Sequence, residues 1–109
     1  MPLKEIQKQV DQWTSQYDPQ YWSPHEILAH LIQEVGELAR EISHLHGVEK
    51  KKYGEKAKDL DGEIVDVIFA LVCLANSNGI DLDKAFKRMM KEKLNKRDKN
   101  RWEKKRSSK

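Results

Sequence analysis

Apolar residues recur along this chain at spacings of three and four positions, which is the period of an amphipathic α-helix. The first run consists of Leu3, Ile6, Val10 and Trp13. It predicts a helix over residues 3–16. The aromatic segment 17–22 interrupts the pattern and predicts a short loop.

A second, longer helix is predicted to begin directly after this loop. Ser23 is a suitable N-cap, Pro24 fits the first helical position, and Glu26 follows the cap by three residues. The apolar seam of this helix consists of Leu28, Leu31, Val35, Leu38, Ile42 and Leu45. Gly47 predicts its end, and the segment 50–56, which has no period, predicts an exposed connection.

The third predicted helix, over residues 59–76, is the most apolar part of the chain. Its stretch 64–75 is apolar on every face except at Asp66, so we expect neighbouring helices to bury it. Gly79 predicts its end, because glycine tolerates the left-handed conformation found there. Asp81 is the expected cap of a fourth helix, whose apolar period is lost from Lys96 onward.

These patterns predict an all-α fold, since no alternating apolar and polar run indicates a strand. A chain of 109 residues is one domain, and four helices of unequal length predict a small four-helix bundle. So short a chain has little surface with which to bury the third helix, so we expect self-association to a dimer or tetramer. Residues 98–109 are expected to form a flexible basic tail.

The charge of the chain is unevenly distributed. Residues 84–109 carry a net charge of +10 and residues 1–83 a net charge of −7, within a total of +3. A basic end of this kind can bind nucleic acid, the phosphates of a nucleotide, or the acidic face of its own bundle.

Composition also favours a soluble cytoplasmic protein that does not contact a membrane. The single cysteine, Cys73, lies in an apolar run, which is typical of a reducing compartment. The N-terminus has no apolar signal core, and the longest apolar stretch, 64–75, is too short to span a bilayer.

Acidic residues form two pairs at helical spacing. Glu34 and Glu37 are three residues apart on the second helix, and Glu41 continues the same stripe. Glu63 and Asp66 repeat the spacing on the third helix, where Asp66 lies among apolar residues. A carboxylate in such surroundings needs a partner, because burying an unpaired charge is costly.

Two interpretations of these pairs remain open at this stage. In the first, the glutamates are solvated and Asp66 pairs with a lysine or arginine of the fourth helix. In the second, the four carboxylates Glu34, Glu37, Glu63 and Asp66 converge on a hard divalent cation such as Mg²⁺, whose charge neutralises their repulsion.

The segment 31–38, which contains Glu34 and Glu37, and the segment 62–67, which contains Glu63 and Asp66, resemble a family signature. It is the Glu-x-x-Glu and Glu-x-x-Asp signature of the MazG-like all-α nucleotide pyrophosphohydrolases. The likeness extends over nearly the whole chain. It implies an enzyme that hydrolyses nucleoside triphosphates to monophosphates and pyrophosphate in nucleotide-pool control.

The resemblance also implies roles for individual residues. It makes Glu34, Glu37, Glu63 and Asp66 the catalytic magnesium ligands, with Mn²⁺ as a substitute ion. It makes Lys93 and Arg97, with Asn95 as a weaker candidate, the residues that contact the substrate phosphates. Phosphoryl transfer needs this combination of metal and basic residues for charge neutralisation and positioning, and it requires no side-chain nucleophile.

Two features leave alternatives open. Many relatives carry two adjacent glutamates where this chain has Gln33 and Glu34, which favours a catalytically weak or regulatory member as the alternative. Trp22, or its neighbour Tyr21, either stacks a nucleobase or closes the end of the bundle over the second helix.

Two further classes of protein compete with this interpretation. Glu41 and His44 have the Glu-x-x-His spacing of di-iron bundles, but all four histidines precede residue 47, so the third helix lacks an imidazole. We therefore expect the histidines beside the acidic stripe to be hydrogen-bonded surface residues. The basic C-terminus motivates a nucleic-acid-binding module, although no helix-turn-helix, zinc or RNP pattern supports it.

Overall fold

A computed structural model of the chain describes residues 2–46 and 60–94, and over these ranges the backbone forms four α-helices and no strand. The helices are α1 (Leu3–Thr14), α2 (Pro24–Leu45), α3 (Leu60–Ser77) and α4 (Leu82–Glu92). The all-α prediction is confirmed. The predicted basic tail, residues 98–109, lies outside the described ranges.

The start of α2 has the predicted capping geometry. Ser23 Oγ accepts a hydrogen bond from the Glu26 backbone N–H at 3.3 Å, and Glu26 Oε1 accepts one from the Ser23 N–H at 3.1 Å. Pro24 occupies the first turn, where a missing N–H costs nothing. The hydrogen bonds from Ser23 lower the pKa of Glu26, because they stabilise the ionised carboxylate.

The turn between α3 and α4 also forms as the sequence predicts. Gly79 has a φ of 66°, in the left-handed region that favours glycine. Asp81 caps α4 by accepting a hydrogen bond from the Lys84 N–H at 3.2 Å. This bond lowers the pKa of the Asp81 carboxyl.

A buried glutamine connects α1 to this turn. Gln7 Nε2 donates to Asn76 Oδ1 at 2.9 Å and to the Ile80 carbonyl at 2.7 Å. Gln7 Oε1 accepts from the Leu82 N–H at 2.9 Å. The amide therefore satisfies a backbone carbonyl in the turn and a backbone N–H at the start of α4, a role that the amphipathic pattern of α1 does not reveal.

α2 and α3 pack against each other as an antiparallel pair, while α1 packs on α3 and α4. Ile27 and His30, near the start of α2, share a cavity wall with Ala70 in the second half of α3. Glu34, in the middle of α2, lies close to Glu63 at the start of α3. The two helices therefore run in opposite directions.

The rest of the chain buries α3 only in part. Several large apolar side chains of α2 and α3 are exposed, including Ile32, which is 64% exposed. These side chains form what we call the apolar face: Leu28, Ile32, Val35, Ile64, Ile68 and Leu71. The expectation that neighbouring helices bury α3 therefore does not hold within the described part of one chain.

The apolar face lies on one side of the antiparallel pair. Val35 and Ile64 each follow a buried residue of the α2–α3 contact by one position, which corresponds to a rotation of about 100° around the helix. Equal rotations on two antiparallel helices point to the same side of the pair. α1 packs on the other side. Its Trp13 contacts Phe69, which precedes buried Ala70 by one position and is therefore rotated by about 100° in the opposite direction around α3.

Within residues 2–46 and 60–94, no single helix is long and apolar enough to cross a bilayer. α3 and α4 taken together pass the same length and composition test, but they are bent by 105° at the turn between them.

Candidate metal centre and adjoining cavity

Three carboxylates from α2 and α3 meet in the structure. Glu34, Glu37 and Glu63 each offer one oxygen, and these oxygens lie within 4.8 Å of one another. Glu34 is only 8% exposed and Glu63 only 4%, while Glu37 is half-buried. We call these three residues the acidic cluster.

The local fold explains why these side chains converge. Glu34 lies on the stripe of α2 that also carries the buried residues Ile27 and Glu41, one heptad before and after it. That stripe faces α3. Glu63 is in the first turn of α3, where the positive end of the helix dipole favours a negative charge. Glu37, one turn after Glu34, lies at the edge of the contact.

Asp66 is placed differently from the other three predicted ligands. It follows Glu63 by three residues on α3 and is half-buried, but its carboxylate does not belong to the group within 4.8 Å. Asp66 also makes an interaction within the protein. Its role as a fourth metal ligand stays a prediction.

The surroundings of Glu34 fit a site for a divalent cation. His30 Nε2 lies 3.4 Å from Glu34 Oε1, whereas Glu34 Oε2 is buried and receives no hydrogen bond from the described residues. A buried carboxylate oxygen without a donor is costly, and a cation compensates for it. Oxygens on opposite sides of a Mg²⁺ ion lie about 4.2 Å apart, which is close to the spacing of the cluster.

A cavity of about 320 Å³ adjoins the acidic cluster, between α1, the loop after it, α2 and α3. Five aromatic rings line it: Trp13, Tyr17, Tyr21, Trp22 and Phe69. His30 lines the same cavity and contacts Glu34, so cavity and cluster share a wall. The volume is at the lower end of the range of roughly 300–1,000 Å³ for small-molecule sites.

A hydrogen-bond network holds the loop that forms one wall of this cavity. Tyr21 Oη donates to Asp11 Oδ1 at 2.6 Å and accepts from Asn76 Nδ2 at 3.0 Å. Gln20 Nε2 donates to the same Asp11 oxygen at 3.0 Å. Burial, and then the hydrogen bond to Asp11, raise the pKa of Tyr21, so the phenol stays protonated. The loop is thereby tied to both α1 and α3.

Cys73 contributes an apolar part of the cavity wall. Its side chain is buried, and burial raises the pKa of the thiol, so it stays neutral at physiological pH. This agrees with the prediction that the cysteine acts as a small hydrophobic residue.

Trp22 and Lys93, the two predicted substrate contacts among the described residues, lie in different parts of the structure. Trp22 lines the cavity, as a base-stacking residue would. Lys93 is exposed at the end of α4, a helix that packs on α1, and it makes an interaction within the protein. Asn95 and Arg97 lie outside the described residues. The phosphate-binding role of these three polar residues stays a prediction.

The expectation that the histidines beside the acidic stripe lie on the surface is wrong for His44. Its side chain is only 7% exposed, and Nδ1 lies 3.9 Å from Glu41 Oε2. Neither ring nitrogen forms a hydrogen bond within the part of the chain that the structure describes. The sequence pattern gave no sign of this burial, because position 44 lies beside the apolar seam and not on it.

The sequence pattern does not reveal the part that His30 and Phe69 play in the cavity. Both follow helical spacing, which is typical of surface and core positions alike. Only the packing of α1 across α3 brings Phe69 next to the aromatic loop, and a helix pattern contains no such information.

The crowding of the acidic cluster makes a prediction about stability. Glu37→Gln removes one of three negative charges, so the metal-free protein should gain about 1 kcal/mol of unfolding free energy. Thermal unfolding in chelator should show a melting temperature about 4–8 °C higher. Glu5→Gln, at an exposed helical position outside the cluster, is the control and should show no gain. An unchanged or lower melting temperature for Glu37→Gln would contradict electrostatic strain in the cluster.

Comparisons with known proteins agree with this arrangement. Residues 22–102 match the family model of the MazG nucleotide pyrophosphohydrolase domain. YpjD of Bacillus subtilis (strain 168), an uncharacterised protein, is 47% identical over 107 residues, which cover 98% of this chain and 96% of that protein.

Two solved structures have the same fold. The crystal structure of YpjD from Bacillus subtilis, described there as a candidate pyrophosphatase, is 46% identical, with a TM-score of 0.78 over 90% of this chain and 97% of that one. A Bacillus-conserved MazG protein, described as a nucleotide pyrophosphohydrolase, is 39% identical, with a TM-score of 0.74 over 92% of this chain and 96% of that one. The chain is therefore a hydrolase that belongs to the MazG nucleotide pyrophosphohydrolase family.

Proposed function

We propose that this protein hydrolyses nucleoside triphosphates to the monophosphate and pyrophosphate, with Mg²⁺ as its cofactor and Mn²⁺ as a substitute. The observation that carries the proposal is the acidic cluster, in which a buried oxygen of Glu34 lacks a hydrogen-bond donor among the described residues. We place the activity in the cytoplasm, where such nucleotides are made and used.

The acidic cluster would act by binding and orienting. Glu34, Glu37 and Glu63 would hold the cation, with Asp66 as the fourth proposed ligand on the next turn of α3. A divalent cation, when bound, supplies positive charge that offsets the phosphate charge and acidifies water. The burial of Glu34 and Glu63 keeps bulk water away, which strengthens their attraction for the cation.

The reaction needs no protein nucleophile. A water oxygen forms a bond to phosphorus, the bridging oxygen between the α and β phosphorus atoms leaves, and the products are the monophosphate and pyrophosphate. A carboxylate of the cluster, Glu34 or Glu37, would orient the water. Lys93, Arg97 and Asn95 would stabilise the charge on the departing pyrophosphate.

The aromatic cavity is the proposed site of the nucleobase. It adjoins the cluster through His30, so a base held there leaves its phosphates near the acidic residues. Trp22 is half exposed at the cavity wall, and its ring is available for stacking. This arrangement favours base stacking over the alternative in which Trp22 only closes the end of the bundle.

Self-association is the second part of the proposal, and a second copy of this chain is its partner. The apolar face lies on the side of the α2–α3 pair away from α1, so a second copy can cover it without obstructing the cavity. A continuous exposed apolar surface on two long helices is typical of an interface between subunits. The result would be a dimer, or a tetramer if two dimers pair.

Gln33 lies outside the acidic cluster. Its side chain is exposed, whereas the three clustered carboxylates are buried or half-buried. We therefore favour an active enzyme over the catalytically weak or regulatory alternative.

Pyrophosphate release from a panel of ribo- and deoxyribonucleoside triphosphates tests the reaction. With Mg²⁺, the wild type should release pyrophosphate from at least one of them, and excess chelator should stop the release. Glu63→Gln should reduce turnover by at least about 100-fold, because it removes a charged metal ligand. Glu5→Gln is the matched control and should keep wild-type turnover.

Two results would contradict this proposal. The first is a folded protein that releases no pyrophosphate from any triphosphate in the panel. The second is tight, salt-dependent binding of DNA or RNA without Mg²⁺, which would favour the nucleic-acid-binding alternative.

The base site is tested by Trp22→Ala. Base-aromatic stacking is worth about 1–3 kcal/mol, so KM for the preferred nucleotide should rise by roughly 5- to 150-fold with a smaller change in kcat. Phe86→Ala is the control, because Phe86 is an exposed aromatic residue of α4 outside the cavity. An unchanged KM for Trp22→Ala would show that Trp22 does not stack on the nucleobase.

The interface is tested by Ile32→Lys, which places a charge in the apolar face. The wild type should have at least twice the chain mass of 12.8 kDa at micromolar concentration in light scattering, and the variant should have a lower mass. Ile80→Lys, at an exposed apolar position outside the face, should leave the mass unchanged. A monomeric wild type would refute self-association.

A further inference from the structure

The two carboxylate oxygens of Glu34 have different surroundings. Oε1 lies 3.4 Å from His30 Nε2, one turn earlier on α2. Oε2 is buried and receives no hydrogen bond within residues 2–46 and 60–94. One oxygen therefore has an imidazole nitrogen beside it, at a distance longer than a usual hydrogen bond, and the other has no donor among the described residues.

The imidazole that engages Glu34 is itself held in place. The ring of Trp22 packs edge-to-face against it, with ring centroids 5.5 Å apart and planes at 83°. The His30 side chain is 38% exposed, so most of it is packed within the cavity wall. An ordered ring of this kind can fix the orientation of the group that it contacts.

We propose that His30 is a positioning residue for the acidic cluster. Its Nε2–H, 3.4 Å from Oε1, would donate to that oxygen of the Glu34 carboxylate and orient the side chain, so that the second oxygen faces a divalent cation. This inference rests on the proposed function, because it assumes that the acidic cluster binds the cation. It requires no change in the charge of His30, since the neutral Nε2–H tautomer and the imidazolium both donate from that atom.

The physical basis is the ordering of a ligand before the cation arrives. A glutamate side chain has several free torsions, and a cation that binds a disordered carboxylate must also restrict them. Groups that orient metal ligands in this way typically change metal affinity by about 10- to 100-fold when they are removed. His30 fits this role by distance, and Trp22 supports it by packing.

The sequence spacing is consistent with this role. Residues four apart on a helix lie one above the other, and a side chain leans toward the N-terminal end of its helix. Glu34 therefore points back toward position 30 on the same face of α2. His25 lies in the first turn of α2, is exposed, and provides a histidine on the same helix for comparison.

The test compares two variants of similar length. His30→Gln keeps an N–H donor at about the reach of Nε2, while His30→Met has a similar shape without a donor. The dissociation constant for Mn²⁺ is measured without nucleotide, by electron paramagnetic resonance of the free ion. His30→Met should weaken Mn²⁺ binding by at least about 10-fold, and His30→Gln should stay within about threefold of wild type.

Two controls accompany this measurement. His25→Met should bind Mn²⁺ as the wild type does. Circular dichroism should show wild-type helix content for both His30 variants, so that a change in affinity is not a change in folding. With triphosphate present, the half-maximal Mg²⁺ concentration should rise for His30→Met and not for His30→Gln.

The outcomes separate the inference from the function on which it rests. If His30→Met binds Mn²⁺ as tightly as the wild type, or if both variants lose affinity equally, His30 does not position Glu34 through its donor. In that case Glu63→Gln still abolishes Mn²⁺ binding and the proposed metal centre stands. If the wild type binds no Mn²⁺, or if Glu63→Gln binds it as tightly as the wild type, the proposed metal centre is wrong. The proposed role of His30 is then wrong as well.

Discussion

The structure of this protein depends on like charges held together between two helices. Glu34 and Glu63 are almost fully buried at the α2–α3 contact, and Glu37 is beside them. Hydrophobic packing along the remainder of the contact has to offset the repulsion among these carboxylates. α2 and α3, with 22 and 18 residues, are the longest helices described, and they provide this contact.

The same helix pair separates two surface features in space. On the side of α1, the acidic cluster and the aromatic cavity share a wall through His30. On the other side, the apolar face leaves large side chains exposed. Within residues 2–46 and 60–94 no further helix covers that face, so the acidic cluster and the proposed association surface lie on opposite sides of one helix pair.

Much of this arrangement follows from local rules. The capping box at Ser23 and the cap at Asp81 form as the sequence predicts, because they need only backbone groups within three residues. The spacing of the two acidic pairs places each pair on one face of its helix, but it leaves open whether the pairs converge. The resemblance to the MazG family points to Glu34, Glu37 and Glu63 together with Asp66.

The contacts that depend on distant parts of the chain were not predictable in this way. Gln7 bonds to residues about 70 positions away, and Phe69 meets Trp13 only because α1 crosses α3. His44 is buried although its position on α2 gave no sign of it. The position of Asp66 outside the group of three carboxylates is likewise a matter of side-chain direction, which spacing along a helix does not determine.

The sequence by itself determined the helices, their caps and the chemical type of the site, because helix period, capping and charge are properties of neighbouring residues. The tertiary structure alone decided which carboxylates meet, which oxygen of Glu34 lacks a hydrogen-bond donor among the described residues, and which aromatic residues enclose the cavity. These features depend on how α1, α2 and α3 pack, and many packings are compatible with the same amphipathic pattern.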